Sequence, residues 1–254
     1  QLYPMIKLFV TDLDGCISFP FRTPNWSAIN AIRDLNTQSR HDSSIPPLTI
    51  CTGRPYPYAE AVAQFLDIRI PFVFESAALF LWEGNKVETA FENTDSDLEP
   101  ILEMKDWIKH ELLPHFPTAQ LEFTKMMDAG IVCPHQKTVD EIRNVVDKKV
   151  EADFPDLEVH STDVSVNILM PGNNKYRGMQ MLADQIGVTL DEIAYIGDTS
   201  GDIKALQNVK LAFSPLNAID DVKRVTQTIQ LEATEAVLDA YRRIVEQNRN
   251  HSSE

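Results

Sequence analysis

Val10-Thr11-Asp12-Leu13-Asp14-Gly15 closes an apolar run that begins at Met5-Ile6-Lys7-Leu8-Phe9. The run is short and rich in β-formers, which predicts a buried strand. In a continuing strand residues i and i+2 face the same side, so Asp12 and Asp14 point together. Gly15 marks a sharp turn directly after them. The two acids therefore stand at the carboxyl end of a strand, where open α/β sheets hold their ligands. Carboxylates this close repel. They act together when a cation sits between them, or when one attacks while the other handles a proton. The plain alternative is a strand that ends in an ordinary Asp-Gly turn. The rest of the chain decides between the two.

The chain has 254 residues, 43% of them hydrophobic and 24% charged. That length suffices for a core domain carrying a second, smaller one. The formal net charge of −15 argues against a nucleic-acid or anionic-membrane surface, which needs basic patches. A small anionic substrate stays compatible with it, provided that a local cluster of positive charge receives the anion. No apolar run reaches bilayer length, and the N-terminus carries no secretory pattern. Gln1 is an odd first residue; Met5 is the expected natural start unless residues precede it. Cys16, Cys51 and Cys133 form no CxxC pair, which predicts reduced thiols in a cytoplasmic protein. His110, His115, His135 and Cys133 lack a zinc spacing.

Ser18 to Pro24 is a proline-punctuated loop, and Asn25 is placed to cap a helix with Ile29, Ile32 and Leu35 on one face. Leu48-Thr49-Ile50-Cys51 predicts a second buried strand, ending in Thr52-Gly53-Arg54-Pro55, and Pro55 suits the first turn of a helix reaching about Leu66. Ile70 to Phe74 predicts a third strand. The order β-α-β-α-β indicates a parallel sheet. The character changes from Ala77 to Glu83, and residues 83–170 predict a separate α+β unit. Its predicted parts are a helix over Asp97 to Leu113, a hairpin of Leu121–Thr124 and Gly130–Cys133, and a helix over Thr138 to Val150. Strands at Leu157–His160 and Val164–Met170 complete it. Pro171-Gly172-Asn173-Asn174 is a turn, after which the alternation resumes. It runs through a helix at Lys175–Ile186, strands at Ile193–Ile196 and Val209–Phe213, a short strand at Thr228–Gln230, and a closing helix from Leu231 to Glu246. The expected fold is α/β. A Rossmann-like parallel-sheet core spans 1–82 and 171–254, and an inserted α+β cap spans 83–170.

Four points stand at strand ends or helix starts: Asp12/Asp14, Thr52-Gly53-Arg54, Lys175, and Gly197-Asp198-Thr199-Ser200-Gly201-Asp202. Singly each has a dull explanation: a turn, a helix cap, a solvated lysine, a capped short helix. Together and in this order the set resembles the four motifs of the haloacid dehalogenase superfamily. An α+β insert between the second and third motifs resembles the Cof-like branch, whose cap is of type IIB. Two positions depart from the common pattern: Cys16 stands where Thr is frequent, and Gly201 where Asn is frequent. Glu75-Ser76-Ala77-Ala78 also lacks the Asn-Gly seen in many relatives.

The resemblance implies a Mg2+-dependent phosphatase acting on a small phosphorylated metabolite, with a sugar phosphate first among them. In that reading Asp12 is the nucleophile that forms an aspartyl-phosphate, and Asp14 is the general acid and base. Mg2+ is held by Asp12, the backbone carbonyl of Asp14, and Asp198, with Asp202 orienting that shell. Thr52, Gly53, Arg54 and Lys175 bind the phosphate. Two like charges 4 Å apart repel by about 4 kcal/mol at an effective dielectric near 20, so several carboxylates and a phosphate need cations among them. In that family the dehalogenase branch uses no metal and lacks a second Asp, so the resemblance of Asp14 and the acidic fourth motif implies phosphoryl transfer rather than halide displacement. The cap is expected to read the leaving group. Lys125, Met126 and Met127 are candidates there, although a packed or solvated loop explains each more simply, as solvation does for Arg177. Two other readings are a phosphosugar mutase of the phosphomannomutase kind, and a non-catalytic binding protein on the same scaffold.

Overall fold

The computed structural model describes residues 5–20, 22–91, 94–162 and 164–251. The reading of Met5 as the natural start concerns residues 1–4, outside that set, as does Phe21 of the proline loop. In chain order the elements are β1 (Leu8–Thr11), α1 (Trp26–Gln38), β2 (Leu48–Ile50), α2 (Tyr56–Phe65), β3 (Phe72–Phe74), β4 (Ala78–Leu81) and β5 (Lys86–Thr89). Then come α3 (Thr94–Asp97), α4 (Glu99–Trp107), β6 (Gln120–Leu121), β7 (Asp128–Val132), α5 (Gln136–Asp153), β8 (Glu158–Ser161) and β9 (Ser165–Leu169). The last stretch holds α6 (Lys175–Ile186), β10 (Ile193–Ile196), α7 (Ile203–Leu206), β11 (Leu211–Ser214), α8 (Asp220–Lys223), β12 (Gln227–Thr228) and α9 (Ala233–His251). The chain divides into two compact units, Gln1–Glu88 with Asn174–Glu254, and Thr89–Asn173.

The first unit is built on a five-stranded sheet of order β12-β11-β10-β1-β2, with every pair parallel. Parallel strands are covered on both faces, which is why β1 and β10 read as unbroken apolar runs. Alternate residues of β1 serve the two sides. Leu8 and Val10 join a core with Met179, Leu182 and Leu206 from α6 and α7. Phe9 turns the other way and meets the Tyr241 ring of α9 at 5.1 Å between centroids. Asn248 ties the far end of α9 to the backbone of Ile6, accepting from its N–H and donating to its carbonyl at 2.9 Å each.

The third predicted strand differs from expectation. β3 touches the parallel sheet through one bridge, Cys51 to Val73, and ladders antiparallel with β4 in a three-stranded sheet β3-β4-β5. The turn between β3 and β4 holds Glu75 and Ser76 at φ +43° and +68°. Such left-handed values favour Gly or Asn, so a turn built from Glu and Ser leaves no turn signature in the sequence.

The second unit has the antiparallel sheet β6-β7-β9-β8. Ala129, Ile131, Val166 and Ile168 are its buried hydrophobic residues, and Val139, Ile142, Val146 and Val150 form the buried stripe of α5. The helix expected over Asp97 to Leu113 ends at Trp107 and continues as a single π turn, Ile108–Leu112, ahead of Pro114. A proline cannot donate to the preceding turn, so a regular helix loosens there. Among the described residues no helix is long and apolar enough to cross a membrane.

Candidate active site

Asp12 extends β1 by one bond, its N–H donating to the Ile196 carbonyl at 3.0 Å, and there the strand stops. The chain then curls on itself. Gly15 donates to the Ser18 carbonyl at 2.8 Å, and Ser18 donates to the Leu13 carbonyl at 3.1 Å. Gly15 has φ +73°, and a Cβ there would lie 1.9 Å from Asp198 Oδ2. Glycine is thus required twice, for the backbone turn and for the close approach of the Asp198 carboxylate.

The Asp12 carboxylate is buried. Its Oδ1 accepts from the Leu13 N–H at 2.7 Å and its Oδ2 from Lys175 Nζ at 2.6 Å. Lys175 is the first residue of α6, whose N-cap Asn174 accepts from the Arg177 N–H at 3.0 Å. Its Nζ also donates to Asp202 Oδ1 at 2.6 Å. The sequence did not single out Tyr195, yet its hydroxyl donates to the same Asp202 oxygen at 2.5 Å. Its one legible signal was a tyrosine in a strand buried on both faces, since a buried hydroxyl needs a partner. Asp202 Oδ2 accepts from the N–H groups of Asp198 and Thr199 and from the Thr199 hydroxyl, at 2.9 to 3.1 Å. Asp202 is therefore saturated by donors from the chain itself. Asp198 is not: its buried Oδ1 has no hydrogen-bond partner.

The three carboxylates of Asp12, Asp198 and Asp202 can place one oxygen each within 4.8 Å of one another. Their protonation shows the charge imbalance. Burial, with Lys175 opposing it and Asp202 adding to it, pushes Asp12 up to about 7. Burial and the neighbouring charges of Asp12 and Asp202 push Asp198 up to about 8. Asp202 stays below the ordinary carboxylate range despite burial, because Lys175, Tyr195 and the Thr199 N–H stabilise its charge. Burial disfavours the Lys175 ammonium, but Asp12 and Asp202 overcome that and raise it well above its usual value. One lysine thus faces three acids. The orphaned Asp198 oxygen and the all-oxygen donor set fit a hard divalent cation.

Asp14 lies apart from that cluster and half-exposed. Its carboxylate takes a two-pronged ion pair from Arg54, with Nε to Oδ2 at 2.6 Å and Nη2 to Oδ1 at 3.1 Å. The guanidinium in turn lies 5.0 Å from the Tyr58 ring centroid. Thr52 is buried at the end of β2, its N–H bonded to the Val73 carbonyl and its hydroxyl accepting from the Arg54 N–H at 3.1 Å. Gly53 sits beside Ser76, whose Oγ would lie 3.5 Å from a Cβ at that position. Cys16 is buried with its thiol on the Ile196 carbonyl at 3.8 Å. Arg177 is exposed. In the second unit Lys125 is an ion-pair partner of Asp128, at 2.8 Å, rather than a solvated residue.

Comparison with known proteins bears on the same chain. A phosphoglycolate phosphatase of Methanopyrus kandleri is 23% identical over 96% of this chain and 99% of its own length. A Thermoplasma acidophilum crystal structure superposes with a TM-score of 0.70 at 20% identity, covering 96% of this chain and all of that one. The sucrose-phosphatase of Synechocystis, solved with sucrose and phosphate, gives 0.68 at 14% identity over 94% and 98% of the two chains. These likenesses share the α/β fold. The family model for haloacid dehalogenase-like hydrolases matches residues 80–240, a span that holds Lys175, Asp198 and Asp202. The chain belongs to the haloacid dehalogenase-like hydrolase family.

Proposed function

We propose that this hydrolase is a Mg2+-dependent phosphatase that splits a small phosphorylated metabolite through a phosphorylated Asp12. The observation that carries the reading is the buried Asp12–Lys175–Asp202 chain beside the unpartnered Asp198 Oδ1. Asp12, Asp198 and the backbone carbonyl of Asp14 would hold the cation, with Asp202 fixing the group from behind. Bound there, Mg2+ offsets negative charge on Asp12 and on the phosphoryl oxygens.

The remaining chemistry belongs to the chain. The Asp12 carboxylate attacks phosphorus, and the bond from phosphorus to the leaving alkoxide breaks. Asp14 gives that alkoxide a proton. It then takes a proton from water as the water attacks the aspartyl-phosphate, releasing inorganic phosphate and regenerating Asp12. Lys175 and Thr52 bind the phosphoryl oxygens, and positioning with charge neutralisation supplies most of the rate in such transfers. Arg54 fixes the Asp14 carboxylate and offers a second cationic group to the incoming phosphate. The alcohol released is a small polar one. The relatives named phosphoglycolate phosphatases make phosphoglycolate the first compound to try, with sugar phosphates beside it. The three buried, unpaired cysteines suit a cytoplasmic setting.

Phosphate release from such a panel, with Mg2+ and with a chelator, tests the reading. We expect release from wild type that disappears with the chelator and falls by at least about a thousandfold in Asp12→Asn. Release unaffected by either change overturns it.

A further inference from the structure

Asn217 lies outside the four motif regions, in the loop between β11 and α8, yet it holds the nucleophile loop. Its Nδ2 donates to the Gly15 carbonyl at 2.9 Å, and its Oδ1 accepts from the Ala233 N–H at 3.0 Å. Ala233 is the first residue of α9 and carries φ +41°, a conformation an alanine keeps only when its surroundings enforce it. The other end of the Gly15 residue is pinned too, its N–H donating to Ser18. The same loop reaches the fourth motif through the Ile219 N–H, which donates to the Asp198 carbonyl at 3.0 Å. One loop thus grips the backbone on both sides of the cation site.

The contact it controls has little slack. A Cβ on Gly15 would lie 1.9 Å from Asp198 Oδ2 and 3.2 Å from Asn217 Nδ2. A small outward shift of Gly15 would separate the Asp14 carbonyl from the Asp198 carboxylate, two of the groups assigned to the cation.

We propose that Asn217 is a positioning residue for the cation site, setting the distance between the Asp14–Gly15 peptide and Asp198. The inference rests on the metal reading above and names a residue that acts on it without touching metal or substrate. Loss of a group that orients metal ligands typically weakens affinity about 10- to 100-fold.

Mg2+ affinity is measured by calorimetry at pH about 8 on wild type, Asn217→Ala, Asn217→Asp and Thr234→Val, with no substrate present. Thr234→Val removes a different tie of α9 to this loop, the Thr234 hydroxyl on the Ile17 carbonyl at 2.7 Å. Asn217→Ala should weaken Mg2+ binding about tenfold or more. Asn217→Asp keeps the size and the acceptor for Ala233 but loses the donor to Gly15. Its added carboxylate would by charge alone tighten a cation, so weaker binding isolates position from charge and decides the matter even where Asn217→Ala folds poorly. Thr234→Val should lower the melting temperature and leave Mg2+ affinity within about twofold. Unchanged or tighter binding in Asn217→Asp, or equal weakening in Thr234→Val, overturns the assignment. Absence of Mg2+ binding to wild type overturns the metal reading itself and this inference with it.

Discussion

Asp12 and Asp202 share one lysine that does not reach Asp198, and the protonation of the three acids follows from that. Lys175 donates to Asp12 and Asp202 and leaves the buried Oδ1 of Asp198 without a partner. Folding raises Asp12 from 3.8 to about 7 and Asp198 to about 8. A carboxyl whose folded pKa is raised favours the fold while protonated. That contribution is complete below about 4 and is lost as pH climbs through about 7 to 8. Asp202, lowered on folding, acts in the opposite sense only below about 4. Chelated protein should therefore melt at a lower temperature at pH about 8.5 than at about 5.5, and Mg2+ should raise the melting temperature far more at the higher pH. A chelated protein that gains stability across that window, or a Mg2+ effect larger at the lower pH, contradicts the charge account. The acids and the lysine are legible as residue types at strand ends. Asn217 is not, and Tyr195 is legible only as a buried hydroxyl in need of a partner, because an amide and a hydroxyl that act through other residues leave no spacing to read.

At the scale of elements, legibility tracks how local the cause is. α6 and β10 have the bounds that their sequence predicts, since a cap at Asn174 and an unbroken apolar run define them alone. The turn after β3 fails that test. Glu75 and Ser76 adopt left-handed conformations because the surroundings hold them: Glu75 donates to the Arg54 carbonyl and Ser76 to the Thr52 carbonyl, at 2.9 Å each. The same turn explains a glycine inside a helix. A Cβ on Gly178 of α6 would lie 2.2 Å from the Ser76 carbonyl oxygen and 2.7 Å from Val73 Cγ1. Helix propensity alone favours Gly178→Ala by about 1 kcal/mol. Overpacking against a backbone atom costs about 1 to 3 kcal/mol, so the clash should win. Denaturant unfolding should show a net loss of up to about 2 kcal/mol; a gain in stability would mean that α6 is free to move off the turn.

At the scale of the molecule, a chain of net charge −15 gathers its useful positive charge at a few points, Lys175 among three acids and Arg54 on Asp14. The alternation of strands and helices made the parallel core legible from sequence. The order β12-β11-β10-β1-β2, which puts β1 between β10 and β2 and so Asp12 next to Asp198, depends on long-range pairing that no local pattern encodes. The central claim is that Asp12 carries the phosphoryl group. Asp14→Asn should strand it there: p-nitrophenyl phosphate needs no acid for its departure, whereas hydrolysis of the acyl phosphate needs the base. Rapid mixing of this variant with p-nitrophenyl phosphate and Mg2+, followed by acid quench and peptide mass spectrometry, is the most direct measurement. The account predicts a burst of nitrophenolate near one per enzyme and one added phosphoryl group on the peptide containing Asp12. Turnover with no burst and no modified peptide, or a phosphoryl group on any other residue, would contradict it.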